Sequence, residues 1–258
     1  MNNNYDELVK QFNIISNQRW IKGINNFNNS VGLTFEKLLN KKADSLFLPD
    51  FHGIEIKCTQ RYSKFPIALF SCSFDGPFLY EMNRLLITYG KNDIIYKDKK
   101  IFNGILSYNY KTLINKYYFK LDVSNKNQKI IIEIYDLNNN LIENQSYISF
   151  DTLKTKLETK LSNLAIVYAS KKEINHNPYF RYYKMMIYRL KSFDKFIELL
   201  AKDIIIVEIS GRVSRSGTES GRQRNKNLVF KINKNQIDEL FKIVKICDND
   251  LNENFQII

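Results

Sequence analysis

Asp50, Glu55 and Lys57 lie within eight residues of one another in the segment Pro49-Asp50-Phe51-His52-Gly53-Ile54-Glu55-Ile56-Lys57. If Gly53 to Cys58 is a strand, side chains alternate between its faces. Glu55 and Lys57 then project together, and Ile54, Ile56 and Cys58 project to the other side. Burying the apolar face fixes that register. A turn with Gly53 would fold Asp50 back towards Glu55. Two carboxylates held close together, with a backbone carbonyl such as that of Ile56, make an oxygen-rich site of the kind that suits Mg²⁺. A water oriented by Lys57 could attack a phosphorus atom while the metal offsets the developing charge. Phosphodiester cleavage needs that combination of nucleophilic water, Lewis acid and cation. The same pattern also fits an exposed Glu/Lys strand face behind a turn-forming Pro-Asp, and in a lysine-rich chain the spacing alone does not choose.

The bulk composition narrows the partner. The 258 residues carry a formal net charge of +12, which favours a polyanion, because each neutralised phosphate releases condensed counterions. A Lys- and Asn-rich chain from an AT-rich genome would show the same surplus. With 44% hydrophobic and 14% aromatic residues, the chain is expected to fold around a core rather than stay disordered. No apolar stretch is long enough to span a bilayer. Cys58, Cys72 and Cys247 are odd in number, widely spaced and without a CxxC pair, which argues against disulfides and zinc sites. His52 and His176 are the only histidines, too few for a multi-histidine metal cage, and His52 reads as a solvent-facing loop residue. The polar start, Met1 to Asp6, lacks the apolar core of a signal peptide, so a cytoplasmic protein is expected.

The elements that must position these residues follow from periodicity. Leu8, Phe12, Ile15 and Trp20 predict an amphipathic helix over Tyr5 to Trp20. A short helix follows at Thr34 to Leu39, with Ser30 or Asn29 as cap. Strands are predicted at Gly53–Cys58 and Ile67–Phe74, and a hairpin joins Tyr117–Val123 to Lys129–Tyr135 across Ser124–Asn127. A helix at about Phe150–Leu161, a strand at Ala165–Ser170, a helix at Ser192–Ala201 and strands at Ile204–Ile209 and Leu228–Ile232 come next. A last helix is expected from Gln236 to Ile246, capped by Asn235. The fold class is α/β with mixed α+β character, helices flanking a largely antiparallel or mixed sheet.

Between the last two strands, Gly211 to Asn227 holds three glycines and many cations but almost no apolar residues, as a long hairpin loop would. Arginines such as Arg212, Arg215, Arg222 and Arg224 could bridge guanine O6 and N7, and Lys226 adds charge. Ser214 and Thr218 suit phosphate contacts. A basic loop touching only phosphates has the same composition. Arg61 and Lys64, just past the catalytic strand, and Arg181 and Lys184, interleaved with tyrosines, are further candidate DNA contacts.

Ser30-Val31-Gly32-Leu33-Thr34-Phe35-Glu36-Lys37-Leu38-Leu39, followed by Leu48-Pro49-Asp50-Phe51 and Gly53-Ile54-Glu55-Ile56-Lys57, resembles the active-site block of the MvaI/BcnI group of type II restriction endonucleases. That group is related to the MutH mismatch-repair nickase within the PD-(D/E)xK nuclease superfamily. Gln18 to Gly23 resembles the family's lead-in, and Phe180–Lys184, Phe193–Phe196 and Ile204–Gly211 extend the likeness towards the C-terminus, while Tyr80 to Leu161 matches loosely. The resemblance implies a restriction-endonuclease-like fold with a mixed central sheet and a DNA cleft between two lobes of one endonuclease domain. The catalytic lobe is expected to centre on 20–120 and the recognition lobe on 160–258. The resemblance implies Asp50 and Glu55 as metal ligands. Lys57 would position water, and Glu36 would be an outer carboxylate. It further implies a monomeric, Mg²⁺-dependent enzyme (Mn²⁺ substituting) that cuts double-stranded DNA, partnered by a separately encoded methyltransferase, with groove reading by the basic loop. A MutH-like nickase and a non-catalytic DNA binder are the alternatives. The family often carries an Asp-His-Gly-type block before the final strand, where this chain has Asn225-Lys226-Asn227. The recognition site is therefore left open.

Overall fold

The computed structural model describes residues 3–39, 48–224 and 227–250. In chain order the elements begin with α1 (Asn3–Asn17), β1 (Ile21–Lys22), α2 (Ser30–Leu38), β2 (Glu55–Gln60) and β3 (Ile67–Cys72). Next come α3 (Glu81–Tyr89), β4 (Lys91–Asn92), β5 (Lys100–Leu106), β6 (Thr112–Ile114), β7 (Tyr117–Ser124), β8 (Lys129–Tyr135) and β9 (Leu141–Ser149). The chain continues through α4 (Phe150–Leu161), β10 (Asn163–Ile174), β11 (Asn177–Leu190), α5 (Phe193–Ala201), β12 (Ile205–Val213), β13 (Gln223–Arg224) and β14 (Leu228–Ile232). A 3-10 turn at Lys234–Gln236 leads into α6 (Ile237–Leu240) and β15 (Phe241–Asp248). Among the described residues, no helix is long and apolar enough to cross a membrane.

These elements form two compact units, neither continuous in sequence. One comprises 1–65, 159–191 and 241–258, the other 66–158 and 192–240. The Asp50–Lys57 segment thus shares its unit with 159–191 and 241–258, and 66–120 belongs to the other unit. The cause is strand pairing. β10 lies parallel to β2, with Leu164 opposite Glu55 and Ile166 opposite Lys57, and β11 pairs antiparallel with β10.

The first unit is built on the sheet β1-β11-β10-β2, with β15 also on β11. The central run Leu164-Ala165-Ile166-Val167 is fully buried, as a strand covered on both faces requires. Asn175 and His176, both at positive φ, make the tight β10–β11 turn, the geometry of a two-residue hairpin. Leu8, Phe12 and Ile15 of α1, with Val31 and Phe35 of α2, join Ile54 and Ile56, Ala165 and Val167, and Phe180 and Tyr182 in one core. Each Leu, Ile, Val or Phe among them contributes about 1.5–3 kcal/mol on burial, so the apolar face of this segment is held firmly. Tyr182 also donates a hydrogen bond to the Val31 carbonyl at 2.8 Å, tying β11 to the start of α2.

The second unit carries the sheet β3-β14-β12-β5-β4, with β13 paired to β12, and the meander β6-β7-β8-β9. Phe70, Phe196 and Phe230 form its aromatic centre, Phe70 stacked on Phe230 at 4.8 Å between centroids. The buried Glu81 of α3 is neutralised by Arg84, which also binds Glu143 of β9.

Most elements match the pattern in the sequence, and the chief departure is the last one. The helix expected from Gln236 to Ile246 ends after one turn, and Phe241–Asp248 is a strand paired with β11, Phe241 opposite Leu190 and Cys247 opposite Met185. Ile243, Val244 and Ile246 are β-branched and stiff at χ1, which disfavours a helix and suits a strand. Asn233, not Asn235, precedes the preceding 3-10 turn. Helix α2 starts at Ser30, earlier than expected. Asn29 sits at its cap without a capping side-chain bond, while the Ser30 hydroxyl donates to the Asn25 carbonyl at 2.6 Å.

Candidate active site

The Asp50–Lys57 segment folds as a turn feeding an edge strand. The Phe51 and Ile54 backbones exchange hydrogen bonds of 2.9 and 2.8 Å, and the residues between them, His52 and Gly53, have φ of 42° and 85°. Both central residues at positive φ make a type I′ turn. A Cβ on Gly53 would meet nothing within 4 Å, so it is the backbone angle rather than space that favours glycine there. The Asn4 side chain donates to the His52 carbonyl at 2.9 Å and that of Asn163 to the Gly53 carbonyl at 3.3 Å, pinning the turn from two other elements. His52 itself is exposed, 3.9 Å from Glu7 and edge-on to the Phe51 ring.

Beyond this turn Asp50 folds back along β2. Its Oδ2 accepts a hydrogen bond from the Ile56 amide at 2.9 Å. Glu55 is buried at 1% exposure, although its side chain lies on the face opposite Ile54 and Ile56. Its Oε1 accepts from Lys57 Nζ at 2.5 Å, and Lys160 Nζ lies 3.5 Å from the same oxygen. The other oxygen, Oε2, is buried without a hydrogen-bond partner. Burial raises the Glu55 pKa above its ordinary value, the Asp50 charge adds to the rise, and the Lys57 and Lys160 ammonium groups oppose it. Glu36, half-buried on α2, lies close enough to β2 that its charge adds to that of Asp50 in raising the Cys58 thiol, whose main cause is burial.

The cations fall in both units. In the first, Arg61 follows β2, pairs with Asp250 at 2.9 Å and lies 4.9 Å from the Tyr183 ring centroid. Arg181 binds the same Asp250 at 3.2 Å, Lys184 pairs with Asp248 at 2.9 Å, and Lys64 is exposed in the turn after Arg61. In the second, β12 and β13 form the stem of the basic hairpin, with Arg212 opposite Arg224. Arg212 bonds to Asn103 at 3.1 Å and Glu208 at 3.2 Å. Arg222 and Arg224 flank Glu219, and Ser214 donates its amide to the Arg222 carbonyl at 2.9 Å. Arg215 binds Asp93 with both terminal nitrogens, and Thr218 is exposed at the tip. Lys226 lies outside the described residues.

The model of the MvaI/BcnI restriction endonuclease family matches residues 9–241. This chain belongs to that family. It is a type II site-specific deoxyribonuclease. Its structure is similar to that of restriction endonuclease MvaI with its cognate DNA substrate, at 28% identity and a TM-score of 0.88 over 95% of this chain and 98% of that one. Against MvaI in the absence of DNA, over the same shares of the two chains, the identity is 29% and the TM-score 0.59. No curated protein matches the chain.

Restriction endonucleases of this kind generally use divalent metal ions, and the donor set here fits one. A buried carboxylate with a vacant oxygen is costly in isolation, and a second hard carboxylate stands beside it. One neighbour of Glu55 was missed from sequence. Lys160 sits in the last turn of α4, more than a hundred positions along the chain from Glu55. Its one signal is that α4 runs directly into β10, the strand that pairs with β2.

Proposed function

We propose that this MvaI/BcnI-family enzyme is a Mg²⁺-dependent endonuclease hydrolysing both strands of double-stranded DNA, with Mn²⁺ able to replace Mg²⁺. Asp50, Glu55 and the Ile56 carbonyl are its metal ligands. The observation that carries this reading is the buried Glu55 Oε2 without a partner, beside an Asp50 fixed to the same strand. The Ile56 amide points towards Asp50, and amide and carbonyl of one strand residue point the same way, so the Ile56 carbonyl faces the Asp50 side too. A bound divalent cation supplies Lewis acidity against the charge that builds on the scissile phosphate.

The side chains divide the remaining work. Lys57 is oriented by Glu55 Oε1 and directs the attacking water. Glu36 is the outer carboxylate. The unit carrying β2 is the catalytic part, with Arg61, Lys64, Arg181 and Lys184 along the DNA backbone. The unit carrying the β12–β13 hairpin is the recognition part. There Arg212, Arg215, Arg222, Arg224 and Lys226 serve recognition, and Ser214 and Thr218 contact phosphate. The enzyme acts as a monomer in the cytoplasm, nicking each strand in turn, and a separately encoded methyltransferase protects the host site.

The test is digestion of unmethylated phage DNA with and without Mg²⁺, wild type beside Asp50→Ala. Discrete fragments that need the metal and vanish in the variant are expected, and their ends define the recognition site. Fragments in the absence of divalent metal, or undiminished cutting by Asp50→Ala, overturn the reading.

A further inference from the structure

The basic hairpin is fastened at a second point besides its own stem. Arg215, the second residue of the loop beyond the β12–β13 pairing, reaches Asp93 with both terminal nitrogens, Nη1 to Oδ1 at 2.7 Å and Nη2 to Oδ2. The Asp93 side chain is fully buried, while that of Arg215 is 45% exposed. Bidentate pairing of this kind fixes orientation as well as distance. Hydrogen bonding from Arg215 holds the Asp93 carboxyl far below its ordinary range, against the effect of burial.

Asp93 is itself rigidly placed. It follows β4, its amide bonds the Lys99 carbonyl at 2.8 Å, and its Oδ1 accepts from the Ile95 and Tyr96 amides at 2.9 and 2.8 Å. From this same turn Tyr96 reaches the far side of the loop. Its hydroxyl shares a 2.7 Å hydrogen bond with Ser220 Oγ, and its ring covers Gly221, where a Cβ would come to 3.2 Å. Gly221 has φ of 83°, so both the close approach and the backbone angle favour glycine. Because β4 pairs with β5 and β5 with β12, brace and stem stand on one sheet.

We infer that Asp93 is a positioning residue for target-site selection, acting through Arg215 to hold the 214–222 loop in one conformation, and that Arg215 is a brace rather than a base-reading contact. This rests on the hairpin being the recognition element and revises one residue of that reading. A carboxylate near the DNA-reading loop repels phosphate unless a cation cancels it, and the Nη1–Nη2 fork that Asp93 occupies is not open to guanine. Holding the loop before DNA arrives lowers the ordering cost of binding.

The experiment compares wild type, Asp93→Asn, Arg215→Ala and the double variant on a duplex carrying the mapped site and on a scrambled duplex. Asp93→Asn keeps an acceptor for the Ile95 and Tyr96 amides, and Arg215→Ala changes a partly exposed loop residue, so the fold is retained. Each single variant is expected to lose about tenfold in affinity for the site, a typical loss for a coupled pair, with little change on the scrambled duplex and, for Asp93→Asn, little change in kcat. The double variant is expected to be no worse than either single one. The slope of log affinity against log salt should match wild type in Arg215→Ala, whereas a lost phosphate contact lowers it by about 0.9. Tighter binding by Asp93→Asn, additive losses, or a reduced slope in Arg215→Ala overturns the brace. Arg222→Ala with Arg224→Ala separates the two readings. If that variant loses the site while Asp93→Asn keeps it, the hairpin reads DNA without the brace. If it selects the site as wild type does, the hairpin reading has failed, and the inference with it.

Discussion

The carboxylate of Asp50 is bonded to the backbone of the strand it serves, accepting from the Ile56 amide at 2.9 Å. One oxygen is thereby oriented by the main chain, so the position of Asp50 relative to Glu55 follows from the type I′ turn and the register of β2. Asp50→Asn keeps an acceptor for that amide and loses the charge. Thermal stability should stay within a few degrees of wild type, while metal-dependent cleavage should fall by at least about a hundredfold, since a metal ligand matters more than the 10–100-fold typical of its outer neighbours. Calorimetry beside a gel-based digest checks both halves. Cleavage retained with melting unchanged would remove Asp50 from the metal site.

Lys57 and Lys160 approach the same oxygen of Glu55, at 2.5 and 3.5 Å, but their expected roles differ. Lys57→Ala should lower turnover by about a hundredfold or more, the scale of a lost positioning contact on the attacking water. Lys160→Ala should cost far less at alkaline pH. Removing its charge raises the Glu55 pKa further, and metal binding requires the ionised carboxylate. The acid limb of the pH–activity profile should therefore move to higher pH in Lys160→Ala. An unmoved limb would show that Lys160 does not act on Glu55 in the working enzyme.

Much of the site is legible in the sequence because it is local. Alternation along Ile54 to Cys58 places Glu55 and Lys57 on one face, and a glycine at 53 marks the turn that brings Asp50 back. What escapes is what depends on distant pairing. That 159–191 and 241–258 join the Asp50–Lys57 segment is decided by β10, β11 and β15, and nothing local in Arg181-Tyr182-Tyr183-Lys184 announces a 14-residue strand. The Gln236–Ile246 stretch fails for a related reason: Ile237 and Leu240 have helical spacing and are buried, but the β-branched run after them finds an edge of β11. Asp93 carries no signal at all, since its partner lies 122 positions away.

In the second unit, Arg84 neutralises Glu81, whose side chain is 1% exposed, and Glu143, at 10%. Arg84→Met keeps most of the aliphatic volume and strands two carboxylates. Unfolding free energy measured in urea should drop by about 3 kcal/mol or more. A loss below about 1 kcal/mol would mean that solvent reaches the pair and screens it.

Glu55 should itself lower stability at the pH where the enzyme works. Burial raises its folded pKa above the unfolded value, so the folded state binds more protons in that interval, and stability falls as pH rises through it. Below the unfolded pKa the carboxyl is protonated in both states and costs nothing. Glu55→Gln removes the titration while keeping the shape. The variant should therefore melt close to wild type near pH 4 and above it at pH 8, with the gap opening between these limits, although it cleaves no DNA. That outcome would mark Glu55 as a group kept for chemistry at the expense of stability. A variant less stable than wild type at pH 8 would mean that the Lys57 and Lys160 ammonium groups more than offset its burial.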